Sequence, residues 1–256
     1  MKKYYTTSEV ANLTGIHPNT VRLYEKLQLI PPAQRLPNGY RSFTQLHITL
    51  INMARTAFQV EVLQNGLRKQ AVTIIKTAAA GDYSHAIRLT SQYLNQIQTE
   101  KDQAEEALTI VNELLAHTTV HVQENNTSEI IYTRKEAADY LNITIDTLRN
   151  WELNGLFTAK RKQNGYRIYT EEDIQTLKVI RSLRCANYSL SSILRMLHTL
   201  SRNPSADIRI ALETSEEEDD IVTACDHLLT SLNHAEENAK TILTILKNLP
   251  EGFDPF

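Results

Sequence analysis

Apolar side chains recur at alternating intervals of three and four residues through Leu94, Ile97, Lys101, Ala104, Leu108, Val111 and Leu115, with Lys101 the polar member. That spacing predicts a long helix carrying a single coiled-coil stripe. A second stripe of the same kind runs through Cys225, Leu228, Leu232, Ala235, Ala239, Ile242, Leu246 and Leu249, and its centre is built of small residues. Helices with one apolar face are marginal alone in water, so each stripe needs a partner. The expectation is that each supplies the other with one within the chain. In an antiparallel pairing Lys101 would lie near Ala235 and Ala239, which leave its stem room to reach water.

The remaining periodic segments are short, and they occur twice. Sliding the chain over itself by 127 residues superposes "YTTSEVANLTGIHPNTVRLYEKLQLI" on "YTRKEAADYLNITIDTLRNWELNGLF", and a shift of 126 superposes "NGYRSFT" on "NGYRIYT". A period this long means duplicated domains rather than a solenoid. In each copy a threonine stands three residues before a glutamate, Thr6 with Glu9 and Thr133 with Glu136, the capping box that opens a helix. Its expected inward face is Val10, Ala11 and Leu13, or Ala137, Ala138 and Leu141, and it stops near Gly15-Ile16 or Asn142-Ile143. The next helix opens at His17-Pro18 or Thr144. Helical spacing turns Val21, Tyr24 and Leu27, or Leu148 and Trp151, inward and leaves Arg22 and Arg149 facing out. Two short helices joined by a tight turn form a helix-turn-helix.

Asn-Gly follows in both copies between residues that can pair, which predicts a two-residue type I′ hairpin. This wing presents Arg35, Tyr40 and Arg41 in the first copy, and Lys160, Arg161, Lys162, Tyr166 and Arg167 in the second. A third helix opens at Thr44 or Thr170 and returns Ile48 and Ile51, or Ile174, Leu177 and Ile180, to the core. Four fewer residues separate Phe43 from Phe58 than Tyr169 from Tyr188, so the third helix of the first copy is expected to be a turn shorter.

The predicted fold class is therefore mainly α: two winged helix-turn-helix domains, each with a small β-hairpin wing, and long helices forming an antiparallel coiled coil. The expected divisions are a first winged domain over 1–70, a connector and first long helix over 71–121, and a linker over 122–131. A second winged domain follows over 132–201, then a linker and C-terminal long helix over 202–256.

A length of 256 residues suits two modest domains, each with its own core. No apolar run is long enough to span a bilayer, and the start "MKKYYTTSEV" lacks the apolar centre of a signal peptide, so a cytoplasmic protein is expected. The two cysteines, Cys185 and Cys225, lie far apart in helix-like patterns and read as small apolar residues in a reducing compartment. The total charge of −3 hides a segregation: residues 1–56 carry +5 and residues 132–200 carry +4, leaving −12 on the rest. Both basic segments coincide with a copy of the repeat, as a local nucleic-acid footprint requires.

Together these residues resemble the MerR-type winged-helix transcription regulators. The resemblance rests on "TVRLYEKLQLI" and "NGYRSF" in the first copy, and on "TLRNWELNGLF", "NGYRIYTEEDI" and "IRSLRCANYSLSSILRML" in the second. It implies double-stranded promoter DNA as partner, with RNA polymerase at the promoter, and dimerisation through an antiparallel coiled coil. Carrying both halves in one chain implies an intrachain pseudo-dimer in preference to a homodimer with four winged domains. The second copy is also similar to excisionase-like helix-turn-helix modules, because Asn150-Trp151 replaces Leu23-Tyr24. The two modules are accordingly not expected to read identical half-sites.

Within the module, Arg22 and Arg149 are the candidates for base edges or phosphate, since arginine meets guanine bidentately. The alternative is pairing with Glu25 or Glu152 one turn on. Thr20, Thr147, Tyr40 and Tyr166 can give hydroxyls to phosphate or sugar, and Tyr24 and Asn150 complete the expected DNA-contacting set. Tyrosines of a wing can equally cover the core. Trp151 reads as a core anchor. His117 and His121 stand four apart, but threonine and valine between them argue against helix and no third ligand is evident, so no metal is expected. "SEEEDD" at 215–220 reads as a cap on the C-terminal helix. Cys225 lies inside a stripe with no neighbouring cysteine, so a metal sensor is not expected, and no cofactor is. No phosphate loop, nucleophile elbow or paired catalytic constellation occurs, so the chain is not expected to be an enzyme.

Two other functions fit part of the pattern. One is a drug- or effector-sequestering protein that keeps the winged domains as scaffold, with short helices around Gly81-Asp82 walling a pocket and Tyr83 and Tyr93 as its aromatic surfaces. The other is an excisionase-like factor that bends DNA.

Overall fold

A computed structural model describes residues 4–59, 66–121, 131–163, 165–214 and 227–249, with the side chains of 117–121 left out. The chain divides into two compact units, Met1–Thr99 with Ser231–Phe256, and Glu100–Thr230. Each contains one winged helix-turn-helix.

In the first unit α1 (Thr7–Thr14) starts in the expected capping box, the Thr6 hydroxyl accepting from Glu9 N–H and the Glu9 carboxylate accepting from Thr6 N–H. It ends at Gly15, whose φ of 63° lets the chain turn left-handed into α2 (Pro18–Lys26). Strands β1 (Gln34–Arg35) and β2 (Arg41–Ser42) pair antiparallel, and α3 (Gln45–Ala57) follows. Val10, Val21, Phe43, Leu50 and Ile51 are fully buried between these elements. Helix α4 (Leu67–Ala79) packs on α3 through Leu67, Ala71, Ile74 and Ile75, and α5 (Tyr83–His121) begins three residues later.

The second unit repeats the plan. β3 (Ile131–Tyr132) leads into α6 (Arg134–Tyr140) and α7 (Ile145–Leu153), and the sheet order is β3-β5-β4, with β4 (Lys160–Arg161) and β5 (Arg167–Thr170) forming the wing. Helices α8 (Glu171–Cys185), α9 (Leu190–Arg202) and α10 (Ile208–Glu213) complete it. Their core holds Leu148, Tyr169, Ile174, Leu177, Ile180, Tyr188 and Ile193. Helix α11 (Leu228–Asn248) starts where the Glu213 carboxylate accepts from Leu229 N–H (3.0 Å) and Thr230 N–H (3.2 Å), an anion at the positive end of the helix. The acidic run 215–220, the residue Cys225 and residues 122–130 of the expected linker lie outside the described residues, and Ile131, placed in that linker, begins β3.

The stripe residues Ile97, Ala104, Leu108 and Val111 are buried on α5, as are Leu228, Leu232, Ala235, Ala239, Ile242 and Leu246 on α11; Leu94, Lys101, Leu115 and Leu249 are half-buried. In the first unit Ala235, Ala239 and Ile242 line a cavity of about 10 Å³ with Ile74, Thr90 and Tyr93.

Several sequence expectations change. Leu13 is 59% exposed, and Thr14 takes the inward position, its hydroxyl donating to Val10 O at 2.7 Å and so satisfying itself in the core. Its equivalent by the repeat is Leu141, which is buried. Leu27 is likewise exposed, because α2 ends at Lys26 and the chain turns through Gln28 (φ 60°) to bury Leu29 and Ile30 instead. The third helix of the first copy has 13 residues against 15 in the second, shorter by half a turn rather than a full one. Cys185 is exposed at the end of α8 rather than packed. Helix α5 runs unbroken from Tyr83 through His121, so backbone hydrogen bonding carries the β-branched residues of "HTTVH" in a helix. Tyr83 and Tyr93 are both buried; Tyr93 does line a cavity, but one with room for about one water.

The caps give a pH dependence. Hydrogen bonds from the Thr133 N–H and hydroxyl hold the Glu136 carboxyl below its ordinary value of 4.5. A carboxyl lowered by folding stabilises fully above that ordinary value, and the contribution is lost as pH falls through the lowered one. Glu136→Gln should therefore flatten the acid side of the stability curve below 4.5, read by circular dichroism against pH.

Candidate nucleic-acid interface

Each recognition helix is placed by a turn and locked by an ion pair. The Thr144 hydroxyl accepts from Thr147 N–H at 3.0 Å to open α7, and the His17 ring nitrogen accepts from Asn19 N–H at 3.2 Å to open α2. These caps leave the outer face of each helix to the solvent. Arg22, Leu23 and Lys26 are exposed on α2, and Arg149, Asn150 and Leu153 on α7, while Thr20, Tyr24 and Thr147 are half-buried at the edge. Arg22 donates from Nη1 to Asn19 Oδ1 at 2.7 Å. Trp151, 4% exposed, anchors α7 from below.

The glutamates one turn beyond the arginines do not pair with them. Glu25 Oε2 accepts from Arg41 Nε at 2.6 Å, and Glu25 Oε1 accepts from Ala33 N–H at 3.0 Å. In the second module Glu152 Oε1 accepts from Arg167 Nε at 2.6 Å, and its other oxygen lies 3.7 Å from Arg134 Nη2. The hydrogen bond to Glu152 raises the Arg167 pKa further. Arg41 and Arg167, read from the sequence as DNA contacts, are thus half-buried struts that tie the wing to the recognition helix. The sequence offered Glu25 and Glu152 as partners of Arg22 and Arg149, whereas both pair with the wing arginines instead.

The wing differs from the expected turn. Leu36 N–H bonds Tyr40 O at 2.9 Å and Gly39 N–H bonds Leu36 O at 2.8 Å, so Pro37, Asn38 and Gly39 form a three-residue loop. Proline at the second turn position and a left-handed Gly39 (φ 81°) suit a type I turn followed by a bulge, whereas type I′ would need positive φ at both central residues. The second wing has matching bonds from Lys162 N–H to Tyr166 O and from Gly165 N–H to Lys162 O; Asn164 lies outside the described residues. Arg35 Nη1 donates to Gly39 O at 3.2 Å and braces the loop. Tyr40 is 71% exposed and Tyr166 73%, so these tyrosines do not cover the core. Lys160, Arg161 and Lys162 are exposed beside Tyr166.

A buried residue missed in the sequence supports the first wing. His47 accepts at Nδ1 from Thr44 N–H at 3.0 Å, completing the cap of α3 where the second copy uses Asp173. Burial lowers its pKa against the pull of the Pro32 carbonyl and Glu25. Removing the Glu25 strut should free the wing: Glu25→Ala strands Arg41 and the Ala33 N–H and is expected to cost about 1–3 kcal/mol, read as a lower unfolding midpoint.

Comparison with known proteins agrees with this geometry. Residues 132–200 match the family described as MerR HTH family regulatory protein, and residues 6–43 match that described as MerR family regulatory protein. Similar proteins include the HTH-type transcriptional regulator CueR of Escherichia coli O6:H1, 28% identical over 109 residues, which are 43% of this chain and 77% of that protein. The HTH-type transcriptional regulator ZntR of Escherichia coli K12 is 38% identical over 68 residues, 26% of this chain and 48% of that protein. CueR of Yersinia pestis is 43% identical over 53 residues, 21% of this chain and 38% of that protein. The chain thus spans less than half the length of the latter two. No solved structure matches. Two matched segments, each folded as a winged helix-turn-helix with the same first-helix capping box and the same wing strut, are two MerR-type domains.

Proposed function

We propose that the chain is a sequence-specific DNA-binding transcription regulator whose two winged modules engage the two halves of one promoter site. The observation that carries this reading is that both modules repeat an exposed arginine on the recognition helix, Arg22 or Arg149, together with an exposed wing tyrosine, Tyr40 or Tyr166. A helix of this kind presents its first turns to base edges in the major groove, while wing and cap groups hold the phosphates. Thr20, Thr147, Arg35, Lys160, Arg161 and Lys162 are the positioning contacts. Footprinting at physiological salt is the test: protection of a discrete promoter segment that fades steeply as salt rises is expected, and no protection anywhere would overturn the reading.

We further infer that the chain acts as an intrachain pseudo-dimer. Support comes from α11, whose Ala235, Ala239 and Ile242 sit in the same compact unit as the first winged domain and line one cavity with Thr90 and Tyr93 of α5. Thr90 and Tyr93 immediately precede the first stripe on α5, so residues of the second stripe lie beside the start of the first helix without a second chain. Sedimentation should give a species of 29.2 kDa in dilute solution, and an obligate dimer of about twice that mass would contradict it.

A further inference from the structure

The exposed stripes of the two recognition helices share their arginine and differ at the other three positions, the central one of which sets an apolar side chain against an amide. On α2 the stripe is Asn19, Arg22, Leu23 and Lys26; the repeat places Asp146, Arg149, Asn150 and Leu153 at the same positions on α7. Asn19 precedes Arg22 and Leu23 by three and four residues and Lys26 follows them by four and three, as Asp146 and Leu153 do for Arg149 and Asn150, so arginine and position 23 or 150 flank one exposed face. Leu23 is 48% exposed and contributes nothing to the core of its module, where Val21 fills the inward position. An apolar side chain held out to solvent on this face has no evident structural use. Asn150 is likewise exposed, and its amide is oriented, since Asn154 Nδ2 donates both to Asn150 O (2.8 Å) and to Asn150 Oδ1 (3.3 Å).

We propose that Leu23 and Asn150 are the residues that make the two half-sites different: Leu23 selects a thymine through its methyl group, and Asn150 selects an adenine through a bidentate amide contact. The proposal rests on the DNA-binding reading above. The thymine C5-methyl is the apolar feature of the major groove, and a leucine there can bury it without leaving a polar base edge unpaired. An asparagine amide matches adenine, accepting at Oδ1 from the N6 amino group and donating from Nδ2 to N7. The second lone pair of Oδ1 stays available while Asn154 holds the first. Both arginines can read guanine, and Arg22 is already oriented by Asn19 Oδ1 at 2.7 Å, so the guanines supply the shared part of the two half-sites. Specificity at positions 23 and 150 supplies the unshared part.

The test is selection of bound duplexes from a randomised pool by the full-length chain, in wild-type form and as Leu23→Asn, Asn150→Leu and the double exchange. Both positions are exposed, so thermal midpoints close to wild type should accompany all three. For the wild type the expected result is a non-palindromic site with thymine in one half and adenine at the matching distance from the guanine in the other. Leu23→Asn should convert the first preference to adenine and make the site palindromic at that position, and Asn150→Leu should convert the second to thymine. Each variant should discriminate about tenfold or more against its old base in direct competition. A clear selected site that is identical in its halves, or that Leu23→Asn and Asn150→Leu leave unchanged, would overturn this assignment while sparing DNA binding. Failure of the wild type to select any sequence would instead overturn the DNA-binding reading itself.

Discussion

Replacing Arg22 and Arg149 together by glutamate is expected to abolish specific DNA binding, with a loss of about a thousandfold or more in affinity at physiological salt. Each substitution removes a bidentate base contact of about 1–3 kcal/mol and places a negative charge against the phosphates, so the two add across separate half-sites. Both arginines are exposed on their helices, and neither belongs to the strut that holds its wing, which uses Glu25 with Arg41 and Glu152 with Arg167. The fold should therefore survive, with the thermal midpoint moving little. Gel-shift titration of the double variant against wild type, paired with circular dichroism, reads both quantities. A variant that keeps wild-type affinity would remove the recognition helices from the interface, and retained small-molecule binding alongside lost DNA binding would favour the sequestering alternative.

The contrast between those arginines and their wing counterparts marks where sequence reasoning reaches and where it stops. Capping boxes are local, so Thr6 with Glu9 and Thr133 with Glu136 could be read directly, and both are formed. The same holds for Thr170 with Asp173. The inward sets Ile48 and Ile51, and Ile174, Leu177 and Ile180, also follow from helical period alone, and all are buried. Leu13 and Leu27 failed because apolarity was weighed above geometry. In an eight-residue helix the i, i+4 pair Val10 and Thr14 faces the core, and a threonine that bonds its own helix is admitted there. Leu27 lies beyond the last turn of its helix, where period no longer assigns a face.

Pairing across the module was harder to read. Glu25 meets Arg41 from sixteen residues away, and that approach depends on where the hairpin lands, which no spacing rule supplies. The hairpin itself shows how a dipeptide signal can mislead. Asn-Gly favours type I′ in isolation, yet both wings close with the longer bond pattern; Pro37 suits a type I turn in the first, but the second has Gln163 at that place, so proline alone does not set the loop. Similarly, threonine and valine near the end of α5 could not outweigh a helix already propagating from Tyr83, since each added residue costs far less than a new nucleus. Cys185 was read as a small apolar residue, and it ends α8 on the exposed side.

The seam supplies the other large effect. Ala239 is 1% exposed on α11 and borders a cavity of only about 10 Å³ between Tyr93, Ile74 and Ile242. Ala239→Glu would have to place a carboxylate in that space without a partner, or expel the helix. The expected cost is about 3–5 kcal/mol, a large fraction of the stability of a modest domain. Thr241→Glu is the matched control, because Thr241 is exposed on the same helix, and it should shift the unfolding midpoint only slightly. On the intrachain pairing, detaching α11 also bares the buried Tyr93 of α5, which shares the cavity with Ala239. Such a surface seeks a second copy of the same helix, so Ala239→Glu should sediment partly above the 29.2 kDa of a single chain where the wild type does not. A destabilised Ala239→Glu that stays monomeric would mean that α11 fills the core of the first unit without serving as the partner of the seam.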